Sequence, residues 1–237
     1  MVNPFFQRLN LITGSETSFA LEKSLVMVFG LGGVGGWCAE ALVRSGLGNI
    51  SLVDVDKIHE SNINRQVQAL NGNIGRYKTE ALEERLLQIN PSCLVKSFPM
   101  AFSKETAEVF DIPGADYVID AIDTLPNKLD LIETAYTSGR VLFSSMGMAR
   151  KLNPVLLKTA DIWETSGCPL ARLVRQGLKK RGFYGNFTTV YSPERVPLLE
   201  KPREKREMGS CVTVTAAAGM VLASLVIRSV MENCRHG

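Results

Sequence analysis

One short stretch constrains this chain more than any other: Gly30-Leu-Gly32-Gly33-Val-Gly35-Gly36 follows the apolar run of residues 25–29 and opens a helical pattern over residues 34–45. Glycines between a strand and a helix let the backbone come close to a phosphate, and the helix N-terminus offers free N–H groups and partial positive charge. The spacing satisfies G-x-G-x-x-G in the strand, turn, helix setting that gives the pattern its meaning. The plain alternative is a glycine turn that only packs helix on strand. Either way, the first half must fold as βα units.

The rest of that half keeps the rhythm. Apolar runs at residues 50–53, 94–98, 117–119 and 141–144 alternate with helical patterns over 77–89, 103–110 and 127–137. Strands that alternate with helices imply right-handed crossovers, so the expected fold class is α/β: a Rossmann-like, mostly parallel sheet with flanking helices. After residue 150 the rhythm weakens to a strand at 155–159, a basic helix at 169–181, a polar segment over 192–209 and a terminal helix over 213–231. We expect one domain over residues 1–237, with a nucleotide-binding half at about 20–150 and an appended substrate-facing half at about 151–237.

Composition narrows the class. A chain of 237 residues that is 45% hydrophobic can bury one substantial core. Five scattered cysteines with no C-x-x-C pair indicate neither a zinc ribbon nor a disulfide framework, and suit a reducing cytoplasm. The N-terminal MVNPFFQRLN lacks a basic leader with an apolar core, so no secretory signal is read. The apolar run over 212–227 contains Thr213, Thr215 and Ser224 and falls short of the roughly 20 residues a bilayer requires. It reads as a buried helix, and no membrane partner is expected.

The glycine loop and Asp54, at the end of the second strand where an acid binds a ribose, serve NAD and ATP equally. The following segment separates them. Asp54-Val-Asp56-Lys-Ile-His-Glu-Ser-Asn62-Ile-Asn-Arg65-Gln66, with Lys78 beyond, gathers phosphate ligands that a nicotinamide site does not need. Arg65 offers a forked pair of donors, Lys78 a compact charge and Asn62 a neutral donor, which suits a triphosphate that loses pyrophosphate. Asp120 and Asp123 lie just beyond a strand end, and a carboxylate there can hold Mg²⁺ against phosphate oxygens. Singly, Arg65 or Lys78 reads equally as a surface ion-pair partner, and either aspartate as a helix cap; the combination carries the inference.

These residues resemble the adenylation signature of the ThiF/MoeB/HesA superfamily. The matching pieces are G-L-G-G-V-G-G, D-V-D-K-I-H-E-S-N-I-N-R-Q, G-R-Y-K and D-A-I-D-T. The resemblance implies that Asp54 binds the ribose, that Arg65 and Lys78 bind the phosphates, and that Asp123 acts on Mg²⁺ or its water. It also implies that Arg8 reaches the partner's ATP across a homodimer interface. Within the superfamily the chain is most similar to the tRNA threonylcarbamoyladenosine dehydratases, through Lys151-Leu-Asn-Pro, Thr159-Ala-Asp-Ile, Cys168-Pro-Leu-Ala-Arg172 and the Gly209-Ser210 segment. That likeness implies activation of the threonine carboxylate of a modified tRNA adenosine by ATP, then closure to a cyclic oxazolone-type ring with loss of water.

Residues 172–206 hold ten Lys or Arg against three acids, an excess larger than the net charge of +3 on the whole chain. Arg172, Arg175, Lys179, Lys180 and Arg181 lie on or beside one helix, and Phe183, Tyr184 and Phe187 follow. Charge for phosphates and rings for unpaired bases suit a tRNA loop; a solvated helix with its aromatics turned inward is the plain alternative. Cys168, ahead of Pro169, is the cysteine to weigh as a nucleophile, although a structural role is preferred. Cys38 and Cys211 read as buried. The rival readings are adenylation of a ubiquitin-like sulfur carrier, with a sulfur-transfer or cysteine-desulfurase partner, an NAD(P)-dependent dehydrogenase on the glycine loop and Asp54 alone, and a catalytically silent binding module.

Overall fold

The computed structural model describes residues 6–197 and 208–236. Its sheet has seven strands: β1 (Leu25–Phe29), β2 (Asn49–Val53), β3 (Leu94–Phe98), β4 (Tyr117–Asp120), β5 (Val141–Ser145), β6 (Lys158–Asp161) and β7 (Thr188–Tyr191). They lie in the order β3-β2-β1-β4-β5-β7-β6, all parallel except β6, which runs antiparallel to β7. The helices are α1 (Gln7–Thr13), α2 (Ser15–Lys23), α3 (Gly35–Arg44), α4 (Lys78–Ile89), α5 (Leu125–Thr137), α6 (Pro169–Lys180) and α7 (Val212–His236). This is the expected α/β, Rossmann-like architecture.

Register decides where chemistry can occur. Phe29 lies level with Val53 on one side and Asp120 on the other. The chain therefore leaves β1, β2 and β4 at the same edge, and Gly30, Asp54 and the 121–123 turn emerge side by side. Because β1 connects to β2 on one flank while β4 lies on the other, this edge holds the crevice where open parallel sheets bind ligands.

The second half is built into the same sheet, since β7 pairs with β5 and β6 pairs with β7. α7 covers one face, burying Val214, Ala218, Leu222, Val226 and Val230 in the core shared with α3. At 25 residues it is longer than the sequence pattern suggested, and Val212–Arg235 is long and apolar enough to cross a bilayer. In this fold Gly219 lets α7 lie directly against α3, because a Cβ there would stand 2.5 Å from the carbonyl oxygen of Val34.

Two expected elements differ, and one strand is additional. Residues 103–110 form no α-helix and hold only a 3-10 turn at Ala107–Val109. Phe102 and Phe110, at its two ends, are both pinned against Phe29 at centroid distances of 5.3 and 5.6 Å, and the Thr106 hydroxyl bonds back to the Ala101 carbonyl. A side chain that satisfies the backbone locally competes with helix. The strand expected at 155–159 lies later, at Lys158–Asp161, because Asn153 caps a 3-10 turn over Pro154–Leu156 by accepting from the Val155 N–H. β7 has no counterpart among the sequence expectations.

Candidate active site

The glycine turn is shaped by two close approaches. Gly30 has φ +87°, and a Cβ there would stand 2.6 Å from the Ala121 carbonyl oxygen, so the β1 exit and the turn after β4 close on each other only through glycine. Gly33 faces Arg65 and Thr215; a Cβ on it would stand 3.1 Å from the Arg65 Cγ and from the Thr215 side chain. Gly32 lies beside Gln66, and Gly35 lets the start of α3 pack on the Gly30 carbonyl.

Asp54 is buried and reads the turn directly. One carboxylate oxygen accepts from the Leu31 N–H at 2.6 Å and the other from the Asp56 N–H at 2.8 Å. Burial pushes its carboxyl above the usual aspartate range, against the pull of Lys78 and these two N–H groups. Lys78, the first residue of α4, is buried with its Nζ 2.7 Å from Asp56 and 3.8 Å from Asp54. Asp56 is exposed, so part of the Lys78 charge already has a partner at the rim.

Arg65 stands on the other side. Its guanidinium donates to the Ser61 carbonyl and the Asn64 side chain, each at 2.8 Å. Burial draws its pKa down and the Asp123 carboxylate opposes that shift, so the two charges share one field. Asn62 is buried and accepts from the His59 N–H through its side-chain oxygen, which leaves its amide N–H₂ as the donor. Gln66 is buried with no partner on its side-chain oxygen among the described residues. An unpaired polar atom beside the glycine turn is what a cradle for a polar ligand should contain.

The two aspartates at the end of β4 and just past it have separate fates. Asp120 is fully buried, paired with Lys128 at 2.8 Å and accepting from the Ser144 hydroxyl at 2.6 Å. A carboxylate so engaged has no room for a nucleotide or metal, which corrects the expectation that it binds ligand. It holds the turn instead: the Ile122 N–H donates to Asp120, and Lys128 donates to the Ile122 carbonyl. Asp123 at the tip is exposed. No cluster of three or more metal-ligating side chains occurs among the described residues. A lone exposed carboxylate suits Mg²⁺, which takes its remaining ligands from phosphates and water.

Two contributors escaped sequence reading. Gln68, fully buried, donates to the Leu31 carbonyl at 2.6 Å and so braces the glycine turn from below. The start of α7 also adjoins the site, where Asn64 donates to the Ser210 carbonyl at 3.0 Å. Gln68 lies two residues past the quoted N-I-N-R-Q run, and nothing in the spacing shows that it points under the loop. Cys211, beside Ser210, is half-exposed rather than buried, and hydrogen bonding with the Thr213 hydroxyl holds its thiol below the usual range. Cys38 is buried as expected, and burial pushes its thiol up. Cys168 is a buried N-cap of α6. Arg150, at φ +58°, bonds to Val196 and Gly209 and so ties the chain on both sides of residues 198–207.

The basic helix is less uniform than its sequence. Arg175 is turned onto the Thr165 hydroxyl, and Arg181 pairs with Asp130 and Glu133 at 2.7 and 2.8 Å. Their charge is partly met within the fold, which leaves them less available to a nucleic acid than their neighbours. Arg172, Lys179 and Lys180 are exposed. Phe183 and Phe187 turn inward, whereas Tyr184 stays in solvent. The basic residues of 198–207 lie outside the described residues. Arg8 is exposed on α1, which buries none of its own side chains and leaves Leu11 and Ile12 82% and 77% exposed.

Comparison with known proteins agrees with this geometry. The ThiF family model matches residues 7–236. A tRNA threonylcarbamoyladenosine dehydratase of Bacillus subtilis is 36% identical over 96% of this chain and 95% of its own length. The crystal structure of the E. coli enzyme of that name, TcdA, in complex with AMP superposes with a TM-score of 0.92 at 30% identity, covering 100% of this chain and 99% of the other. The complex of the same enzyme with ATP gives 0.90 at 30% identity over the full length of both. The chain belongs to the ThiF family, among its tRNA threonylcarbamoyladenosine dehydratases.

Proposed function

We propose that this enzyme uses ATP to dehydrate threonylcarbamoyladenosine in tRNA, through an acyl-adenylate of the threonine carboxylate. The observation that carries the reading is the convergence of Asp54, Lys78 and Arg65 around one glycine turn, with Asp123 near enough to Arg65 to share its field. Asp54 holds the ribose. Arg65 and Lys78 bind the phosphates and take up the charge that gathers on leaving pyrophosphate. Gly30, Gly32, Gly33 and Gly35 admit the phosphates, while Asn62 and Gln66 offer polar contacts. Asp123 would hold Mg²⁺, which supplies charge neutralisation on the phosphate oxygens when bound.

The chemistry balances without an enzyme nucleophile. A carboxylate oxygen attacks the α-phosphorus of ATP and pyrophosphate leaves. The neighbouring carbamoyl group then attacks the activated carbonyl, loses a proton and expels AMP, which carries away the carboxylate oxygen. Proximity within one side chain gives that step a large effective concentration. A buried Cys168 fits a structural role here. Arg172, Lys179 and Lys180 provide cations for tRNA phosphates, and the cytoplasm is where that substrate is met.

A homodimer completes the reading. Leu11 and Ile12 form exposed apolar surface on the same helix as Arg8, and a second copy that covers them would bring Arg8 to the partner's nucleotide. Incubating the enzyme with ATP, Mg²⁺ and tRNA carrying threonylcarbamoyladenosine should convert that nucleoside to a species lighter by one water, with AMP formed in step. Mass spectrometry of the digested tRNA reads the nucleoside, and chromatography of the reaction's small molecules reads the AMP. An unchanged nucleoside, with a ubiquitin-like carrier adenylated instead, would transfer the site to sulfur-carrier activation.

A further inference from the structure

The rhythm of the sheet places an exposed aromatic pair far from the adenylation site. β6 runs antiparallel, so its end at Asp161 lies level with Thr188 at the start of β7. The 3-10 turn Ile162–Glu164 that follows therefore sits at the edge opposite Gly30, Asp54 and Asp123. α6 is capped at its N-terminus by Cys168, whose thiol lies 4.0 Å from the Gly147 carbonyl just beyond β5, and descends for 12 residues, about 18 Å, to the same far edge.

There Tyr184 stacks on Trp163 with ring centroids 6.5 Å apart and planes 28° from parallel. Trp163 is fixed from two sides: its indole N–H donates to the Gly185 carbonyl at 3.0 Å, and its backbone N–H donates to Asp161 at 2.9 Å. The Lys179 ammonium lies 5.7 Å from the centroid of the Trp163 ring. Tyr184 is nonetheless 71% exposed, while Phe183 and Phe187 beside it are turned into the core. An exposed ring already held by its neighbours gives up little conformational freedom when a second flat group lies on it.

We propose that Trp163, Tyr184 and Lys179 form a stacking platform for an unpaired nucleotide of the substrate tRNA, one helix length from the adenosine being modified. The proposal rests on the tRNA reading above. It specifies single-stranded RNA because a duplex hides the base faces that an aromatic platform engages, and because any base can stack there while the lysines hold its phosphates. The platform thus adds affinity for tRNA without touching the reaction.

The test compares full-length wild type, Tyr184→Ala and Tyr184→Phe for binding to tRNA carrying threonylcarbamoyladenosine, by fluorescence anisotropy over a salt series. Tyr184→Ala should weaken binding about tenfold, and Tyr184→Phe by less than about twofold. The salt slope should stay unchanged in both, and Lys179→Gln should lower it by about one. ATP affinity should be the same in all four proteins, which shows that the fold is intact. Wild-type affinity in Tyr184→Ala overturns the platform alone. A wild-type enzyme that does not bind tRNA overturns the functional reading and the platform with it.

Discussion

Replacing Arg65 with alanine is expected to slow formation of AMP and pyrophosphate by about 10²–10³-fold, the usual effect of removing one donor aimed at transition-state charge. Stability should barely change. Among the described residues the guanidinium bonds only to the Ser61 carbonyl and the Asn64 side chain of its own segment, so its loss strands no buried group there, and thermal melting should stay within about 2 °C of wild type. Arg65→Lys should recover only part of the rate, because an ammonium keeps the charge but not the fork that matches two phosphate oxygens. The assay is release of pyrophosphate in the presence of modified tRNA. Full turnover by the alanine variant would remove Arg65 from the site.

The same variant tests whether Arg8 acts across a dimer. Mixing inactive Arg8→Ala and Arg65→Ala chains gives hybrid dimers in which one site keeps its own Arg65 and receives an intact Arg8 from its neighbour. Random pairing puts half the molecules in hybrids with one working site each, so about a quarter of wild-type activity should return. If Arg8 served its own chain, every site would lack one arginine and mixing would restore nothing.

Legibility in the sequence followed how far each signal acts along the chain. β1, β2 and β4 are apolar runs that end in glycine or aspartate, so both their existence and their functional edge could be read before the fold was seen. The proposed ligands at Asp54, Arg65 and Lys78 follow in short order from one strand end, within the reach of local spacing. Asp120 and Asp123 defeated that reasoning, since one ends β4 and the other follows three residues later, and only tertiary packing decides their fates. Lys128 reaches back from α5 to neutralise the first, and no periodicity in residues 120–128 announces that. β7 is composed of strand-prone residues, but at four residues it is short and follows the glycine and asparagine of Gly185-Asn186, so it is hard to tell from a loop until β5 and β6 supply ladders on both sides. The basic helix misled for a related reason: charge can be counted along a sequence, but whether Arg181 meets solvent or Asp130 depends on where α5 passes. Trp163 and Tyr184, 21 positions apart, become neighbours only through the antiparallel turn of β6.

The largest stability effect should come from Lys128. It and Asp120 are both fully buried, 2.8 Å apart, with the Ser144 hydroxyl and the Ile122 backbone completing their hydrogen bonds. Removing one partner of such a pair leaves the other as an uncompensated charge in the interior, which costs about 3–5 kcal/mol. Lys128→Met should therefore lower the melting temperature by roughly 6–20 °C, at about 2–4 °C per kcal/mol for a domain of this size. Removing both charges is a different matter, because apolar groups of similar volume avoid the desolvation cost altogether. Asp120→Leu combined with Lys128→Met should melt above Lys128→Met alone. Activity separates the two functions of the pair. The double variant regains stability but loses the grip of Asp120 and Lys128 on the Ile122 backbone, so Asp123 is no longer held at the mouth of the glycine turn and AMP formation should stay depressed. Equal melting temperatures for the single and double variants would mean that the Asp120 charge is relieved by something other than Lys128; recovery of activity along with stability would show that the Asp123 turn keeps its shape unaided.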